Sequence, residues 1–437
     1  MKEMQELTAA YYTLGCKLNF AESSTVGKML ADRGVRCADE GETPDVCVVN
    51  TCSVTETADK KGRQLIKRLS RQFPDAVIVV TGCYAQLKTA EVAAIEGVDI
   101  VVGANDKLQI ARYLDRWLQE RRAIVDVSEL KGKVPFMPSC ERGDRTRWFL
   151  KVQDGCDYFC TYCTIPYARG RSRSGSIDDI VAQARDVADK GAREIVITGV
   201  NIGDFGHGTD QTLFDLIRRL DGIESVERFR ISSIEPNLLT PEIIRWVAGE
   251  SRAFMPHFHV PLQSGSDKVL KMMNRRYDTA LFADRMAMIK DYIPDAFIGI
   301  DLMTGARGET PEEWERSYRF VESLPVTRMH VFPYSERPGT AALKLPDAVE
   351  PAEKSRRVAL LTELSERKLH SFMSDMIGTE RPVLWENAHP GGVMHGLTDN
   401  YIRVAAPLHE DMFNTVSRVR LDGFDPKGAD LLIASLI

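Results

Sequence analysis

Residues 151–170 read KVQDGCDYFCTYCTIPYARG, and this stretch decides how the rest of the chain is interpreted. Its three cysteines, Cys156, Cys160 and Cys163, have the spacing C-x3-C-x2-C and directly follow the apolar run 148–153. Three thiolates can hold a cubane of four irons, which leaves one iron without a protein ligand. A structural zinc site is the alternative, but zinc would need a fourth ligand. The spacing therefore favours an iron-sulfur cluster with one open coordination position.

The open position predicts a small molecule that chelates the cluster. The ligand expected at this spacing is S-adenosylmethionine, bound through its amino and carboxylate groups. An electron from the cluster then breaks the sulfonium bond and gives a 5′-deoxyadenosyl radical. The cysteine segment is thus predicted to carry radical chemistry.

Six apolar runs start at the cysteine segment and continue toward the C-terminus. They recur roughly every 30 to 45 residues with helical patterns between them, such as 176–191, so each repeat has the size of a βα unit. The runs are 148–153, 194–200, 228–234, 258–262, 296–303 and 328–334. Six units predict an incomplete barrel, because a closed barrel of this type has eight.

Three more cysteines end predicted strands in the first 120 residues. There, apolar runs alternate with helical patterns, which is typical of a parallel sheet with helices on its faces. The predicted strands are 9–15, 46–50, 76–82 and 99–104, and the predicted helices are 20–33, 57–72, 86–96 and one after Asn105. Cys16, Cys52 and Cys83 follow the first three strands. Ligands of open α/β sheets lie beyond the carboxyl ends of the strands, so these thiols are predicted to converge.

The remaining sequence divides the chain further. Residues 121–147 lose periodicity and are rich in Pro, Gly and charge, as a connector is. Residues 353–376 form a long charged helical pattern, and short β-prone runs after it indicate a small all-β module. The predicted boundaries are 5–122 for an N-terminal domain, 123–145 for a linker, 146–374 for the barrel and 375–437 for the terminal module.

Composition and charge limit the functions open to the protein. The chain has 437 residues, 43% hydrophobic and 27% charged, which predicts two or three packed domains and excludes extensive disorder. No signal-peptide pattern and no long apolar run is present, so we expect a cytoplasmic protein without a membrane partner. Nine cysteines, an odd number, argue against a disulfide framework. The net charge of -6 confines any nucleic-acid site to a local patch.

The cysteine motifs together resemble those of the radical S-adenosylmethionine superfamily, and more narrowly those of its methylthiotransferases. The resemblance covers essentially the whole chain and rests on residues 154–174 (DGCDYFCTYCTIPYARGRSRS), 13–19 (TLGCKLN), 49–64 (VNTCSVTETADKKGRQ) and 80–86 (VTGCYAQ). It implies an α/β fold with a flavodoxin-like parallel sheet domain, a central partial (βα)6 barrel and a C-terminal all-β barrel of the TRAM type.

The same resemblance implies two 4Fe-4S clusters. Cys156, Cys160 and Cys163 would hold the first, and Cys16, Cys52 and Cys83 an auxiliary one whose open iron carries sulfur, so all six are expected to be both metal ligands and catalytic groups. Three small core residues at strand ends are the alternative for the auxiliary set. Cys37, Cys47 and Cys140 are expected not to bind metal. Flavodoxin or ferredoxin is the expected electron donor.

Contacts to S-adenosylmethionine are expected at the strand ends of the barrel, which form the active-site face of such barrels. For the polar residues a loop cap or turn contact is the alternative. The expected residues are Tyr162, Thr198, Gly199, Asn201, Ser232, Ser233, Gln263 and Ser264.

Cations are expected to bind the substrate. Relatives usually carry a GFPGET-like loop where this chain has TGARGET at 304–310, so Arg307 is expected to meet a substrate carboxylate or a phosphate, with a solvated loop cation as the alternative. Two basic runs beside the cysteine segment are candidates for binding RNA phosphates. The alternative is that they belong to a solvated connector and bind nothing. They consist of Arg142, Arg145, Arg147, Lys151, Arg169, Arg171 and Arg173.

The leading interpretation is an enzyme that inserts sulfur and a methyl group at an unactivated C–H of a tRNA base. GCKLN and NTCSVT match the branch that acts on N6-threonylcarbamoyladenosine, whereas the isopentenyladenosine branch usually reads GCQMN and the ribosomal-protein branch GCPKN. We therefore predict 2-methylthiolation of N6-threonylcarbamoyladenosine beside the anticodon, and no DNA partner. The alternatives are isopentenyladenosine tRNA, an aspartate of a ribosomal protein, and a non-catalytic RNA-binding iron-sulfur scaffold.

Overall fold

The computed structural model describes residues 4–130, 136, 139–142, 146–389, 392–426 and 428–437. Three sheet-based parts follow one another along the chain, and their architecture is the predicted one. No helix in the described ranges is long and apolar enough to cross a membrane.

The N-terminal part is a six-stranded parallel sheet in the order β2-β1-β3-β4-β5-β6, the flavodoxin-like order with one extra strand. Side chains of β3 and β4 are buried on both faces, because alternate residues join two separate apolar clusters. The strands are β1 (Thr8–Thr13), β2 (Arg36–Cys37), β3 (Val46–Thr51), β4 (Val77–Gly82), β5 (Ile100–Val102) and β6 (Ile124–Asp126). The helices are α1 (Lys17–Ala31), α2 (Glu56–Gln72), α3 (Cys83–Leu87), α4 (Thr89–Ala93) and α5 (Ile110–Glu120).

Three details of this part differ from the sequence prediction. The short edge strands β2 and β6 were not predicted, and β6 extends the sheet beyond the expected boundary at residue 122 by pairing with β5. The helix expected at 86–96 is two short helices, α3 and α4, of which α3 already begins at Cys83. Strands this short carry too few residues for an alternation signal.

The central part is an incomplete barrel of six parallel strands, as predicted. β8, β11 and β12 form one run of parallel pairs, β13, β14 and β15 form another, and a bridge between Ser233 and His259 joins the two. β7 pairs antiparallel with β8 inside the predicted linker, whose residues 131–135, 137–138 and 143–145 lie outside the described ranges. The strands are β7 (Ser139–Arg142), β8 (Arg147–Lys151), β9 (Gln153–Asp154), β10 (Arg173–Ser174), β11 (Glu194–Thr198), β12 (Arg228–Ile231), β13 (His257–His259), β14 (Phe297–Thr304) and β15 (Arg328–Pro333).

Capping side chains start several helices of this part. Ser176 Oγ accepts the Asp179 N–H at 3.2 Å, and Thr212 forms a reciprocal capping box with Asp215. The helices are α6 (Ile165–Arg169), α7 (Ile177–Asp189), α8 (Leu213–Asp221), α9 (Pro241–Gly249), α10 (Asp267–Met272), α11 (Thr279–Tyr292), α12 (Pro311–Ser323) and α13 (Pro351–Met376).

The C-terminal part is a closed five-stranded barrel in the order β16-β17-β18-β20-β19. It packs against the N-terminal ends of the central strands: Arg228 donates to the Leu397 carbonyl at 2.8 Å, and Arg230 donates to the Thr398 and Asp399 carbonyls. The strands are β16 (Glu380–His389), β17 (Val393–Thr398), β18 (Arg403–Pro407), β19 (Val416–Asp425) and β20 (Gly428–Leu436).

Candidate active site

Cys16, Cys52 and Cys83, here called the auxiliary thiols, follow β1, β3 and β4, which are neighbours in the sheet. Glycines make this arrangement possible. Gly15 has φ +103°, and a Cβ there would lie 2.8 Å from the Cys52 sulfur. Gly82 has φ +97°, and its Cβ would meet the Thr51 carbonyl at 2.3 Å. Only glycine tolerates such backbone, so the Gly-Cys pairs at 15–16 and 82–83 reflect a geometric need.

A buried ionic network lies beside the auxiliary thiols, and its centre is Glu22 of α1. Glu22 accepts from Lys151 at 2.8 Å, from Arg169 at 2.9 and 3.1 Å, and from Lys107. Asp154 accepts from Lys151 and Arg169 as well, and from Arg173 at 3.1 Å. Four cations therefore share two carboxylates, which leaves net positive charge next to the thiols.

The network affects the thiol closest to it. Burial raises the pKa of the Cys83 thiol, and the nearby charges of Arg169 and Lys107 oppose that rise. Burial, together with Cys83, raises the pKa of the Cys52 thiol to about 12. A thiol must lose its proton to bind iron, and the resulting thiolate is anionic. Positive charge beside these buried thiols stabilises that form and therefore suits metal binding.

Cys156, Cys160 and Cys163, here called the loop thiols, lie just beyond β8 and β9. The Tyr158 and Ile165 N–H groups donate to the sulfurs of Cys156 and Cys163, each at 3.4 Å. Arg275 donates to the Cys160 sulfur at 3.1 Å and pairs with Glu235. Hydrogen bonds to sulfur are typical surroundings of iron-sulfur ligands, so these residues fit a cluster.

Burial also governs the loop thiols: it raises the pKa values of Cys156 and Cys163 to about 12. Burial also raises the pKa of the Cys160 thiol, and the charge of Arg275 opposes that rise. Arg275 was not anticipated from the sequence, because it lies more than a hundred residues from the cysteine segment and carries no local signal.

Four of the residues expected to contact S-adenosylmethionine line a cavity inside the central barrel. Thr198, Gly199, Ser232 and Ser233 line one cavity of about 650 Å³. Gln263 is buried with φ +67°, and its Oε1 has no hydrogen-bond partner in the described part of the chain. A buried carbonyl oxygen without a partner fits a site that a polar ligand completes.

The other expected contacts are placed less directly. Asn201 and Ser264 are buried near the same strand ends but do not line the cavity. Tyr162 lies beside Arg275, at 3.5 Å between its hydroxyl and the guanidinium, and burial raises its pKa well above the ordinary value. Their roles stay predictions.

Arg307 is held by other residues of the chain. Its guanidinium pairs with Glu336 at 2.7 Å and donates to the Leu345 carbonyl at 3.1 Å, and it does not line the central cavity. The carboxylate that holds it follows the next strand, β15. The structure therefore gives no support to Arg307 as the substrate anchor.

The central cavity has a cationic wall that includes the residue after Cys16. Cys16, Lys17, Arg147, Arg230 and Tyr401 all line it. Arg147 donates to the Tyr401 hydroxyl at 3.0 Å. Burial would raise the pKa of that hydroxyl, but the charges of Arg147, Lys17 and Arg230 hold it below its ordinary value. The wall is therefore at positive potential.

A second polar group lines the same cavity. His259 and His330 approach Asp301 Oδ1 at 3.0 and 3.5 Å, and their ligand atoms lie within 4.8 Å of one another. Burial would raise the pKa of Asp301, but hydrogen bonds from the two histidines hold it well below the ordinary range. His259, Asp301 and His330 all line the same cavity as the cationic wall.

The basic runs predicted to bind RNA are largely buried. Lys151, Arg169 and Arg173 belong to the ionic network around Glu22, and Arg147 belongs to the cavity wall. Arg171 is exposed beside Asp157, whereas Arg145 and the Arg142 side chain lie outside the described residues. The prediction for Lys151, Arg169 and Arg173 is wrong, because their side chains are engaged by Glu22 and Asp154 inside the protein.

Comparison with known proteins gives a consistent result. Residues 8–103 match the family described as Uncharacterized protein family UPF0004, and residues 150–321 match the Radical SAM superfamily. A threonylcarbamoyladenosine tRNA methylthiotransferase of Bacillus subtilis is 40% identical over 95% of this chain and 93% of its own, and one of Aquifex aeolicus is 35% identical over 91% and 96%.

A second kind of relative and one solved structure complete the comparison. A tRNA-2-methylthio-N(6)-dimethylallyladenosine synthase of Zymomonas mobilis is 34% identical over 86% of this chain and 85% of its own. The radical S-adenosylmethionine methyltransferase TsrM of Kitasatospora setae matches with a TM-score of 0.56 and 14% identity, over 77% of this chain and 73% of its own, which indicates a shared fold alone.

Proposed function

Because the chain belongs to the radical S-adenosylmethionine methylthiotransferases that modify tRNA, we propose that it converts N6-threonylcarbamoyladenosine beside the anticodon to its 2-methylthio derivative. The relatives of Bacillus subtilis and Aquifex aeolicus carry the name of this activity, and that of Zymomonas mobilis carries the name of the dimethylallyladenosine activity. The choice between the two substrates depends on the cavity.

The cationic wall beside Cys16 is the observation that favours threonylcarbamoyladenosine over dimethylallyladenosine as the substrate. Lys17, Arg147 and Arg230 line the cavity that also holds the expected S-adenosylmethionine contacts. A dimethylallyl group is a hydrocarbon, and its burial against cations would remove water from them without replacing any hydrogen bond. The threonylcarbamoyl group ends in a carboxylate and a hydroxyl, which such a wall can bind.

The protein residues have distinct roles under this proposal. The loop thiols hold the 4Fe-4S cluster that the Radical SAM domain implies, which supplies the electron that cleaves S-adenosylmethionine. Arg275 stabilises the charge on Cys160, and Gln263 with the strand-end residues Thr198 and Ser232 orients S-adenosylmethionine. We assign to the auxiliary thiols a second 4Fe-4S cluster that holds the sulfur for transfer, and to flavodoxin or ferredoxin the delivery of electrons.

The experiment offers the reconstituted enzyme three substrates in parallel. They are tRNA with N6-threonylcarbamoyladenosine, tRNA with isopentenyladenosine, and the ribosomal protein, because an aspartyl carboxylate would also suit a cationic wall. Mass spectrometry of the nucleosides and the digested protein should find a methylthio group on threonylcarbamoyladenosine. Preferred modification of either other substrate would overturn the proposal. A strain that lacks the protein should lose the same nucleoside.

A further inference from the structure

We propose that Lys17, together with Arg147, binds the carboxylate of the threonylcarbamoyl group and so determines the choice of substrate. The inference rests on the proposed function and names the residues that carry out its recognition step. It replaces the sequence-based assignment of Arg307, which is occupied by Glu336.

Lys17 stands apart from the other cations of the cavity. Arg230 is paired with Glu194 at 2.9 Å and also holds two carbonyls of the C-terminal barrel. Arg147 donates to Tyr401 and lies 3.5 Å from Glu386. Lys17 has no hydrogen bond or ion pair to any residue in the described ranges, and its ammonium lies 6.0 Å from the Phe149 ring centroid. Its accessible surface lines the cavity.

The charge of this wall calls for an anion. Lys17, Arg147 and Arg230 face Glu194 and Glu386, so the cations outnumber the carboxylates. Lys17 is exposed to the cavity, so its ammonium is free to form a charge-assisted hydrogen bond with an anionic ligand. Water or a solvated ion fills such a site until the ligand arrives, and a carboxylate then displaces it.

The carboxylate of S-adenosylmethionine cannot be that anion. Arg147 begins β8, whereas the loop thiols lie beyond its other end. A five-residue strand spans about 13 Å, so a methionine group held at the loop thiols lies far from Arg147. Lys17, in contrast, directly follows Cys16, and the carboxylate of the substrate is only a few bonds from the adenine ring.

The test compares an acid with its neutral ester in the reconstituted holoenzyme. The probes are an anticodon stem-loop RNA that carries N6-threonylcarbamoyladenosine and the same RNA with the threonyl carboxylate as methyl ester. A charge-assisted hydrogen bond predicts that wild-type enzyme prefers the acid by about 10- to 100-fold, in kcat/KM and in binding measured by fluorescence anisotropy. Lys17→Met should remove the preference, and Lys17→Arg should keep most of it.

Lys28→Met is the matched control, because Lys28 is an exposed lysine of the same helix. It should keep the wild-type preference. Lys28→Met should also leave iron content and cleavage of S-adenosylmethionine without substrate unchanged, and iron content is measured in every variant. If Lys17→Met loses iron, the preference for the acid over the ester is measured with Arg147→Met instead.

The outcomes separate this inference from the proposed function. If wild-type enzyme modifies the acid but does not prefer it over the ester, or if Lys17→Met and Arg147→Met both keep the preference, the anchor is wrong and the function stands. If wild-type enzyme modifies isopentenyladenosine RNA instead, both are wrong.

An independent observation concerns helix α2. We infer that its exposed face binds the phosphate backbone of tRNA. Five exposed cations lie on about a third of the helix circumference, opposite the buried residues Gly62, Ile66 and Leu69. They are Lys60, Lys61, Lys67, Arg68 and Arg71.

None of these five cations makes a hydrogen bond or an ion pair with a residue that the structure describes. The stripe spans about 17 Å, enough for several phosphates, in a chain whose net charge is -6. α2 begins four residues after Cys52, so RNA bound along it would lie next to the auxiliary thiols. A solvated face is the competing explanation.

The test is the salt dependence of binding of an unmodified tRNA transcript. Each lost phosphate contact lowers the slope of log K against log salt by about 0.7 to 0.9, so Lys67→Gln/Arg71→Gln should lower it by about 1 to 2. Arg218→Gln/Arg245→Gln removes two exposed cations from α8 and α9 and should leave the slope unchanged. An unchanged slope in the α2 variant, or an equal loss in both variants, would refute this surface.

Discussion

Replacement of Glu22 by glutamine tests whether one buried carboxylate joins the N-terminal sheet to the central barrel. Glu22 and Lys107 come from the N-terminal part, and Lys151 and Arg169 come from the barrel. The four side chains are at most 3% exposed, so water cannot replace the lost charge. In Glu22→Gln, Asp154 alone remains to balance the cations of the network.

The size of the effect follows from burial. Removal of one partner from a buried ion pair costs about 3–5 kcal/mol, because the other charge stays buried without compensation. With an m-value of about 2 kcal/mol per M, the midpoint of the first urea transition should fall by about 1.5–2.5 M at unchanged slope. Circular dichroism of the cluster-free chain measures this shift directly.

The pH dependence provides a second readout. Burial would raise the pKa of Glu22, but the charges of Arg169, Lys107 and Lys151 hold it well below its ordinary value, and Lys151 and Arg169 do the same for Asp154. Carboxyls with lowered pKa values stabilise the fold fully above their unfolded values, about 4, and lose this effect as the pH falls. Wild-type protein should thus lose stability below about pH 5, and Glu22→Gln should lose less.

A surface glutamate serves as control. Glu42 pairs with Arg36 at an exposed site, so Glu42→Gln should leave the urea midpoint and its pH dependence unchanged. If Glu22→Gln unfolds at the same urea concentration as wild-type protein, Glu22 does not hold the two parts together, and the network contributes no net stability.

Three further predictions concern the clusters and Arg307. Anaerobically reconstituted protein should contain about eight irons per chain. Replacement of all three loop thiols by alanine, or of all three auxiliary thiols, should leave about four. A wild-type iron content near four that the auxiliary replacement does not change would eliminate the second cluster. The auxiliary triple variant should still form 5′-deoxyadenosine but no methylthio nucleoside in a chromatographic assay, and normal product formation would contradict sulfur storage there. Arg307→Ala should keep the wild-type preference for the acid over the ester RNA, since Glu336 already binds the guanidinium; loss of that preference would restore Arg307 as the anchor.

The sequence predicts most of the fold because its signals are local. The apolar runs of β3 and β4 and the Gly-Cys pairs at 15–16 and 82–83 contain all that is needed to place strands and the turns after them. The strands β2 and β6 escape prediction because their pairing partners, and not their own residues, define them.

Charged residues near the site could not be assigned from local sequence. Lys151, Arg169 and Arg173 form a basic run in the chain, yet in the fold each meets a carboxylate, and Glu22 lies more than a hundred residues away from two of them. The exposed cations of α2 are part of an ordinary amphipathic pattern, which does not indicate a ligand. Only the structure shows which residues lie next to them. Burial and pairing are properties of the assembled chain, so only the structure separates structural cations from those available to a substrate.

The same network connects the two sets of thiols, which come from different domains. α6 begins two residues after Cys163 and ends at Arg169, so one short helix connects a loop thiol to the centre of the network. Arg169 binds Glu22 and Asn19, which belong to the helix that follows Cys16, and α6 packs against α3, which starts at Cys83. Because these contacts are buried and charged, any shift of one domain against the other would break several of them together. Ionic contacts at the domain interface therefore hold the two sets at a constant distance from each other, as the proposed transfer of sulfur to a single carbon would require.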